Sequence, residues 1–416
     1  MSLTDRLKRL GPGLVTGAAD DDPSGIATYS QAGAQFGTGL MWTMTLAYPL
    51  MVAVQLASAR VGRVTGDGLA RGLKQVMPRW LVILLIALLF VANTINIGAD
   101  LAAMGEASAL VVGGGSHVFT IGFALLSLLL QLYVPYHRYS SWLKWLTLVL
   151  LAYVALLLIV KVDWAAAARG LVVPSIAGRG AVTTIVAIFG TTISPYLFFW
   201  QAAQEVEELD QVEEREPLTE QRAQADDALR RIRWDTLAGM AVSNIVALAI
   251  ILGTATTLHA AGKTDIQSAS DAAQALKPLA GSLAFITFSL GIIGTGLLAV
   301  PVLAGASGYA VCEIGGWRAS LEHKPRRAIV FYSVIALGMA LGVAIDWSPI
   351  NPMKALFWSA VINGVAAVPI MVGLMLVVSR RNIMKEFVAP PSLRFFGWLA
   401  TLVMGVAAIA MIALPD

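Results

Sequence analysis

Asp20-Asp21-Asp22-Pro23-Ser24-Gly25 interrupts an apolar segment, with residues 10–19 before it and 26–36 after it. The first half is ten residues long, about 15 Å of helix and so about half a bilayer core. Three carboxylates at such a depth are costly and mark functional sites. Proline removes a backbone donor and clashes with the preceding turn, and glycine tolerates strained dihedrals. The stretch therefore reads as a helix broken in two, with unwound backbone between the halves. Irregular backbone inside a membrane is tolerated only where it is buried in protein or lines a cavity.

A second break follows the same plan. Residues 181–192 are apolar, then come Ile193-Ser194-Pro195-Tyr196, then the apolar residues 197–203. The first and sixth apolar segments are five apart. Interruptions at equivalent places in two five-helix halves point to inverted repeats with a substrate between them. Two ordinary proline kinks in packed helices are the plainer alternative.

Composition sets these breaks in a membrane protein. The chain has 416 residues, 57% hydrophobic and 13% charged, against about 25% charged in soluble domains. Long apolar runs occupy 40–59, 80–99, 118–136, 236–258, 279–312, 355–379 and 395–415. Shorter or interrupted ones occupy 10–19, 145–160, 180–203 and 328–345. A spanning helix needs roughly 20 such residues. The expectation is an all-α integral membrane protein with 11 transmembrane helices, the first and sixth broken. It forms one domain over 1–416, with repeat one at about 10–161, repeat two at about 180–379 and an extra helix at 395–415. No cleavable signal peptide is expected, since no small-residue cleavage site precedes the helical pattern. The single cysteine, Cys312, excludes an internal disulfide and a cysteine-rich metal cluster.

With the N-terminus inside, 23 of the 29 basic residues fall on the cytoplasmic side. The positive-inside rule thus predicts a multi-pass protein of the cytoplasmic (inner) membrane, N-terminus in and C-terminus out. One cytoplasmic loop, 205–235, holds 11 acids and 5 bases. It reads as a solvated helical extension, a charged linker, with a regulatory or cation-attracting role as the alternative.

Several motifs carry a resemblance. Gly11-Pro12-Gly13, then Asp22-Pro23-Ser24-Gly25 with Thr28, resembles the first-helix signature Asp-Pro-Gly-Asn-x-x-Thr of the natural resistance-associated macrophage protein (NRAMP) family of divalent-metal transporters. Gly190-Thr191-Thr192-Ile193-Ser194-Pro195-Tyr196 looks like the family's sixth-helix signature, which ends Met-Pro-His. Asp100 looks like its third-helix acid. The resemblance implies a LeuT-like 5+5 inverted repeat with metal held between unwound helices one and six. Carried over by position, Asp22 is the aspartate ligand and Thr191 supplies the carbonyl ligand. The family's asparagine ligand falls on Gly25 and its methionine on Ser194. Its histidine falls on Tyr196, and the glutamate three residues after the third-helix aspartate falls on Ala103. The losses at Tyr196 and Ala103 remove the proton-coupling pair that the resemblance implies.

These departures have a physical direction. Thioether is soft and favours transition metals; hydroxyls and carboxylates suit Mg²⁺. Ser194 and Gly25 leave a wider, harder site, suited to an ion that keeps several waters. The chain looks closest to an NRAMP-related magnesium-transporter-like branch. Asp20 and Asp21 are expected to attract the ion through its water shell, or to cap the break or line a vestibule. Ser24 lies at the start of the second half-helix and Asn363, in the tenth segment, offers an amide oxygen. Asp100, Tyr196 and Gln201 are expected along the pathway or vestibule. Glu106 is off Asp100's helix face, and the four histidines lie near segment ends. No nucleophile elbow, metalloprotease helix or P-loop is present, so neither an enzyme nor an ATP-driven pump is expected.

The favoured function is movement of a divalent cation, Mg²⁺ first and Mn²⁺ next, by alternating access without tight proton coupling. The alternatives are a proton-coupled Mn²⁺/Fe²⁺ importer, a transporter of a small anion or organic acid bound at a half-helix N-terminus, and a non-transporting membrane sensor. The partners implied are the lipid bilayer and a small inorganic ion. No cofactor and no nucleic acid are expected, and one chain suffices to form the site.

Overall fold

The computed structural model describes residues 12–135, 148–176, 178–210, 216–321 and 325–414, and among these no strand occurs. The first broken segment is α1 (Pro12–Asp20) and α2 (Pro23–Phe36). Next come α3 (Trp42–Thr65), α4 (Arg79–Val112) and α5 (Ser116–Tyr133). The second broken segment is α6 (Gly178–Thr192) and α7 (Pro195–Asp210). It is followed by α8 (Ala225–Thr254), α9 (Ala284–Gly315), α10 (Ile329–Ile345), α11 (Pro352–Ser379) and α12 (Pro391–Ala413). Eight spans among the described residues are long and apolar enough to cross a membrane. The fifth expected run, 145–160, lies partly outside the described residues.

The pairing of helices carries the internal symmetry. The first broken segment packs on α8, and the second packs on α3. These are the same relation in the two halves, first segment on seventh and sixth on second. Each contact is closed by small residues, as membrane helices favour. A Cβ on Gly17 would stand 2.4 Å from the Gly239 carbonyl oxygen, and one on Gly62 would stand 2.1 Å from that of Ala202. α6 and α7 are buried nearly throughout, whereas α5 and α12 are mostly exposed. The exposed residues of the outer helices are apolar, among them Leu84, Leu125, Leu341, Leu402 and Ile409. Such a surface is tolerated where lipid covers it.

Asp100 lies inside the third segment, α4, which runs on to Val112, and it is fully buried. One expectation is corrected. The acidic stretch 205–235 is not a solvated linker at its ends. Glu205 lies in α7 and Asp235 in α8, and Glu205, Glu207 and Asp235 are buried. Each has a partner: Arg231 bonds Glu205, Tyr309 bonds Glu207, and the Gly13 amide bonds Asp235. Arg231 from the far end of the same stretch, and a hydroxyl and a backbone donor from other helices that no charge count shows, draw these acids inward. Residues 211–215 of the stretch lie outside the described residues.

Candidate metal site at the helix breaks

Each break is two residues long. Asp21 and Asp22 separate α1 from α2, and Ile193 and Ser194 separate α6 from α7. In both, proline is the first residue of the second half, where its missing N–H has no helical partner to lose. Ser24 and Gly25 therefore belong to the first turn of α2 and not to the unwound stretch.

Asp22 is the N-cap of α2, with extended backbone at φ −68° and ψ 172°. One carboxylate oxygen accepts from the Gly25 N–H at 2.7 Å and from the Ser24 hydroxyl at 2.6 Å. The other accepts from the Asn96 amide at 3.0 Å and from the Tyr196 hydroxyl at 3.4 Å. Tyr196 also reaches the Ala19 carbonyl at 3.3 Å. Asn96, one turn before Asp100 in α4, in turn accepts from the Ser359 hydroxyl of α11. Three helices thus converge on one carboxylate, and a fourth, α11, backs Asn96.

The neighbouring acids are as deeply buried. Asp20 and Asp100 are 0% exposed and Asp21 4%. Ser243 of α8 donates to Asp20 at 2.5 Å and also lies 3.2 Å from Asp21. Asp100 lies beside Asp22 and the Ser24 backbone, and among the described residues no side chain donates a hydrogen bond to it. Among the described residues no lysine or arginine forms an ion pair with Asp20, Asp21, Asp22 or Asp100.

The sixth-segment residues divide. The Thr191 carbonyl faces the break but accepts from the Ser194 hydroxyl at 2.9 Å, and Ser194 also reaches the Gly190 carbonyl at 2.5 Å. Ser194 thus bonds back to its own helix. The Thr191 hydroxyl lies against Gly25, 3.1 Å from where a Cβ there would stand. Asn363 is 1% exposed and neither amide atom has a partner. Its neighbour Gly364 abuts Gly190, but no hydrogen bond joins Asn363 to Asp22. Gln201 does not line an open vestibule. It is buried and accepts from Thr16 at 2.6 Å, tying α7 to α1.

Asn96, Ser359 and Ser243 were missed in the sequence. Asn96 carried the one usable signal, its i,i+4 spacing from Asp100 on the same helix face. A lone serine in an apolar helix carries none, because it usually bonds its own backbone.

Among the described residues, hydrogen bonds tie the half-helices down on either side of the buried acids. Toward the face that carries the basic loops, the Gly13 N–H donates to Asp235 at 2.7 Å and Thr16 to Gln201. Toward the other face, Gln31 bonds the backbone of Thr264 and Ile266, and His259 lies 2.8 Å from the Ala34 carbonyl.

Known proteins share this architecture. The chain is similar to the divalent metal cation transporter MntH of Yersinia pestis (strain Pestoides F), 27% identical over 418 residues, covering 98% of this chain and 96% of that protein. Its fold matches an Eremococcus coleocola manganese transporter solved with an aromatic bis-isothiourea substituted compound. There the TM-score is 0.78 at 17% identity, with 99% of this chain and 88% of that one covered. It also matches MhsT in complex with L-phenylalanine, with a TM-score of 0.65, 13% identity, and 96% and 98% of the two chains covered. The fold is therefore the LeuT-like one. A family model described as natural resistance-associated macrophage protein-like matches residues 13–414, and the chain belongs to that family of membrane transporters.

Proposed function

We propose that the chain moves a divalent cation, Mg²⁺ first and Mn²⁺ next, across the cytoplasmic membrane by alternating access, without tight proton coupling. The observation that carries this reading is the set of four buried carboxylates at and beside the first break, none of which forms an ion pair with a lysine or arginine among the described residues. Buried anions without a counter-charge are strongly destabilising. A cation in transit supplies that charge, and an anionic substrate would add to the deficit. The similar proteins named above, a divalent metal cation transporter and a manganese transporter, support the same class of cargo.

The choice of ion rests on the donors. Asp22, Thr191 and the residues beside them, Ser24, Ser194 and Asn363, offer oxygen, which suits Mg²⁺ and does not select against it. Asp20, Asp21 and Asp100 complete the acidic surround, and the Tyr196 hydroxyl orients Asp22. Tyr196 and Ala103 do not titrate as histidine and glutamate would, which favours uncoupled movement. The membrane potential alone supplies ~4.6 kcal/mol per divalent ion at 100 mV, twice the single-charge value. The basic face, with the N-terminus, lies in the cytoplasm on the positive-inside rule. Transport then proceeds by releasing one closed side at a time: Gly13–Asp235 and Thr16–Gln201 inward, Gln31 and His259 outward.

One observation favours a second reading, a softer Mn²⁺ or Fe²⁺ cargo. Met104 is fully buried one turn after Asp100, and its sulfur packs at Gly296 beside the Pro23 ring. Proteoliposomes loaded with Mg²⁺- or Mn²⁺-sensitive dyes, with and without a pH gradient, separate the two. Mg²⁺ entry that is indifferent to the gradient is expected. Entry of Mn²⁺ alone, driven by protons, would establish the second reading.

A further inference from the structure

A groove of about 700 Å³ opens on the outer surface where α3, α8 and the start of α12 meet, well away from the helix breaks. Its chemistry is graded along its length. On α3, Tyr48, Val52, Leu56 and Arg60 recur every fourth residue and form one stripe, apolar until its last member. On α8, Arg230 and Arg233 stand near the helix start, with Trp234 and Leu237 deeper. Three arginines thus gather at the end nearest the basic face, and no acid lines the groove. Arg60 is fixed there by its Nε bond to the Phe387 carbonyl at 2.7 Å. Arg230 is paired with Asp227 at the exposed rim, whereas Arg233 is exposed and forms no ion pair among the described residues.

The dimensions fit one class of ligand. From Arg60 back to Tyr48 is twelve residues of helix, about 18 Å. That is close to the hydrocarbon depth of a single leaflet, about 15 Å. Trp234, 67% exposed, directly follows Arg233 on α8, and amphipathic aromatics mark the membrane interface. A soluble anion has no use for the apolar stripe. A second copy of this chain on a two-fold axis would bring two arginine sets together, since such an interface uses the same patch twice.

We infer that this groove binds one anionic diacyl phospholipid of the leaflet on the basic side. The phosphate lies between Arg60 and Arg233, and an acyl chain lies along Tyr48, Val52 and Leu56. Basic pockets between membrane helices recognise lipid headgroups in this way.

Native mass spectrometry of the detergent-purified chain tests this, using phosphatidylglycerol, phosphatidylcholine of the same acyl length, and deacylated glycerophosphoglycerol. The wild type is expected to retain phosphatidylglycerol over phosphatidylcholine and to ignore the deacylated headgroup. Arg233→Gln is expected to lower that preference about fivefold, the weight of one basic residue at an anionic surface. Arg230→Gln/Arg233→Gln should lower it further, while Arg326→Gln, outside the groove, leaves it unchanged. The exposed arginines are tested first because Arg60 also holds a backbone carbonyl. Equal retention of the two lipids, undiminished preference in Arg230→Gln/Arg233→Gln, or equally tight binding of the deacylated headgroup would overturn the inference. So would a lipid-free dimer with the groove covered.

Discussion

Asp22 has both of its oxygens engaged by four donors from three segments: Gly25 and Ser24 of α2, Asn96 of α4 and Tyr196 of α7. A carboxylate so held is positioned before any ion arrives. Removing one donor leaves it less well oriented and costs about 1–3 kcal/mol for a buried hydrogen bond to a charged group. Asn96→Leu, similar in volume, is therefore expected to weaken cation binding by roughly tenfold or more, read by calorimetric titration of Mg²⁺. Unchanged affinity would place Asn96 outside the site's function. Ser194→Met restores the sulfur of the family signature and is expected to shift competition toward Mn²⁺ and Cd²⁺ over Mg²⁺ by on the order of tenfold, ~1.4 kcal/mol. An uptake assay with mixed ions reads that ratio. Gly25→Asn is the harder restoration, because its Cβ would press on the Thr191 hydroxyl at 3.1 Å and the Asp20 carbonyl at 3.3 Å. Asp22 was legible in the sequence because three signals coincide there: intramembrane charge, proline and glycine. Asn96 was not, because an isolated amide in an apolar helix most often bonds a neighbouring helix for packing. Only its partner across the bundle reveals its role.

The half-helix α1 is held by backbone as much as by side chains. Its Gly17 meets the Gly239 backbone of α8, and its Gly13 N–H meets Asp235. A carboxylate at a helix N-terminus satisfies free N–H groups and the helix dipole together. Asp235→Asn keeps the shape but not the charge, and is expected to loosen α1 by about 1 kcal/mol. Hydrogen exchange over 12–20 should then run several-fold faster, with 284–315 in α9 unaffected. Equal exchange in both variants would mean that Asp235 does not restrain α1. Gly17→Leu is expected to prevent close docking altogether and lower the melting temperature, because the Cβ position overlaps backbone at 2.4 Å. Both breaks were legible, since proline and a short apolar half leave few alternatives. The acidic stretch was misread for an identifiable reason. Charge along a chain predicts solvation only when partners are absent; Tyr309 and the Gly13 amide come from elsewhere in the bundle, and Arg231, within the stretch, meets Glu205 only once α7 and α8 pack.

The two breaks meet in the bundle, with the Tyr196 hydroxyl of the second reaching Asp22 of the first and the Thr191 hydroxyl lying against Gly25. Small-residue contacts on α3 and α8 repeat that relation, and the lipid-facing apolar surface of the outer helices frames it. The broken-helix plan and the lipid-facing character were readable from apolar run lengths alone. The exact partnering of helices was not, because run length says nothing about which faces meet. On the proposed reading, the four buried carboxylates hold one cation at a time as it passes between the two faces. Mg²⁺ uptake into proteoliposomes under an inside-negative potential, wild type against Asp22→Asn, tests this most directly. Robust uptake by the wild type and a loss of at least about a hundredfold in Asp22→Asn, ~2.7 kcal/mol, is the expected result. Equal uptake by the two, or uptake of no divalent ion by the folded wild type, would contradict it.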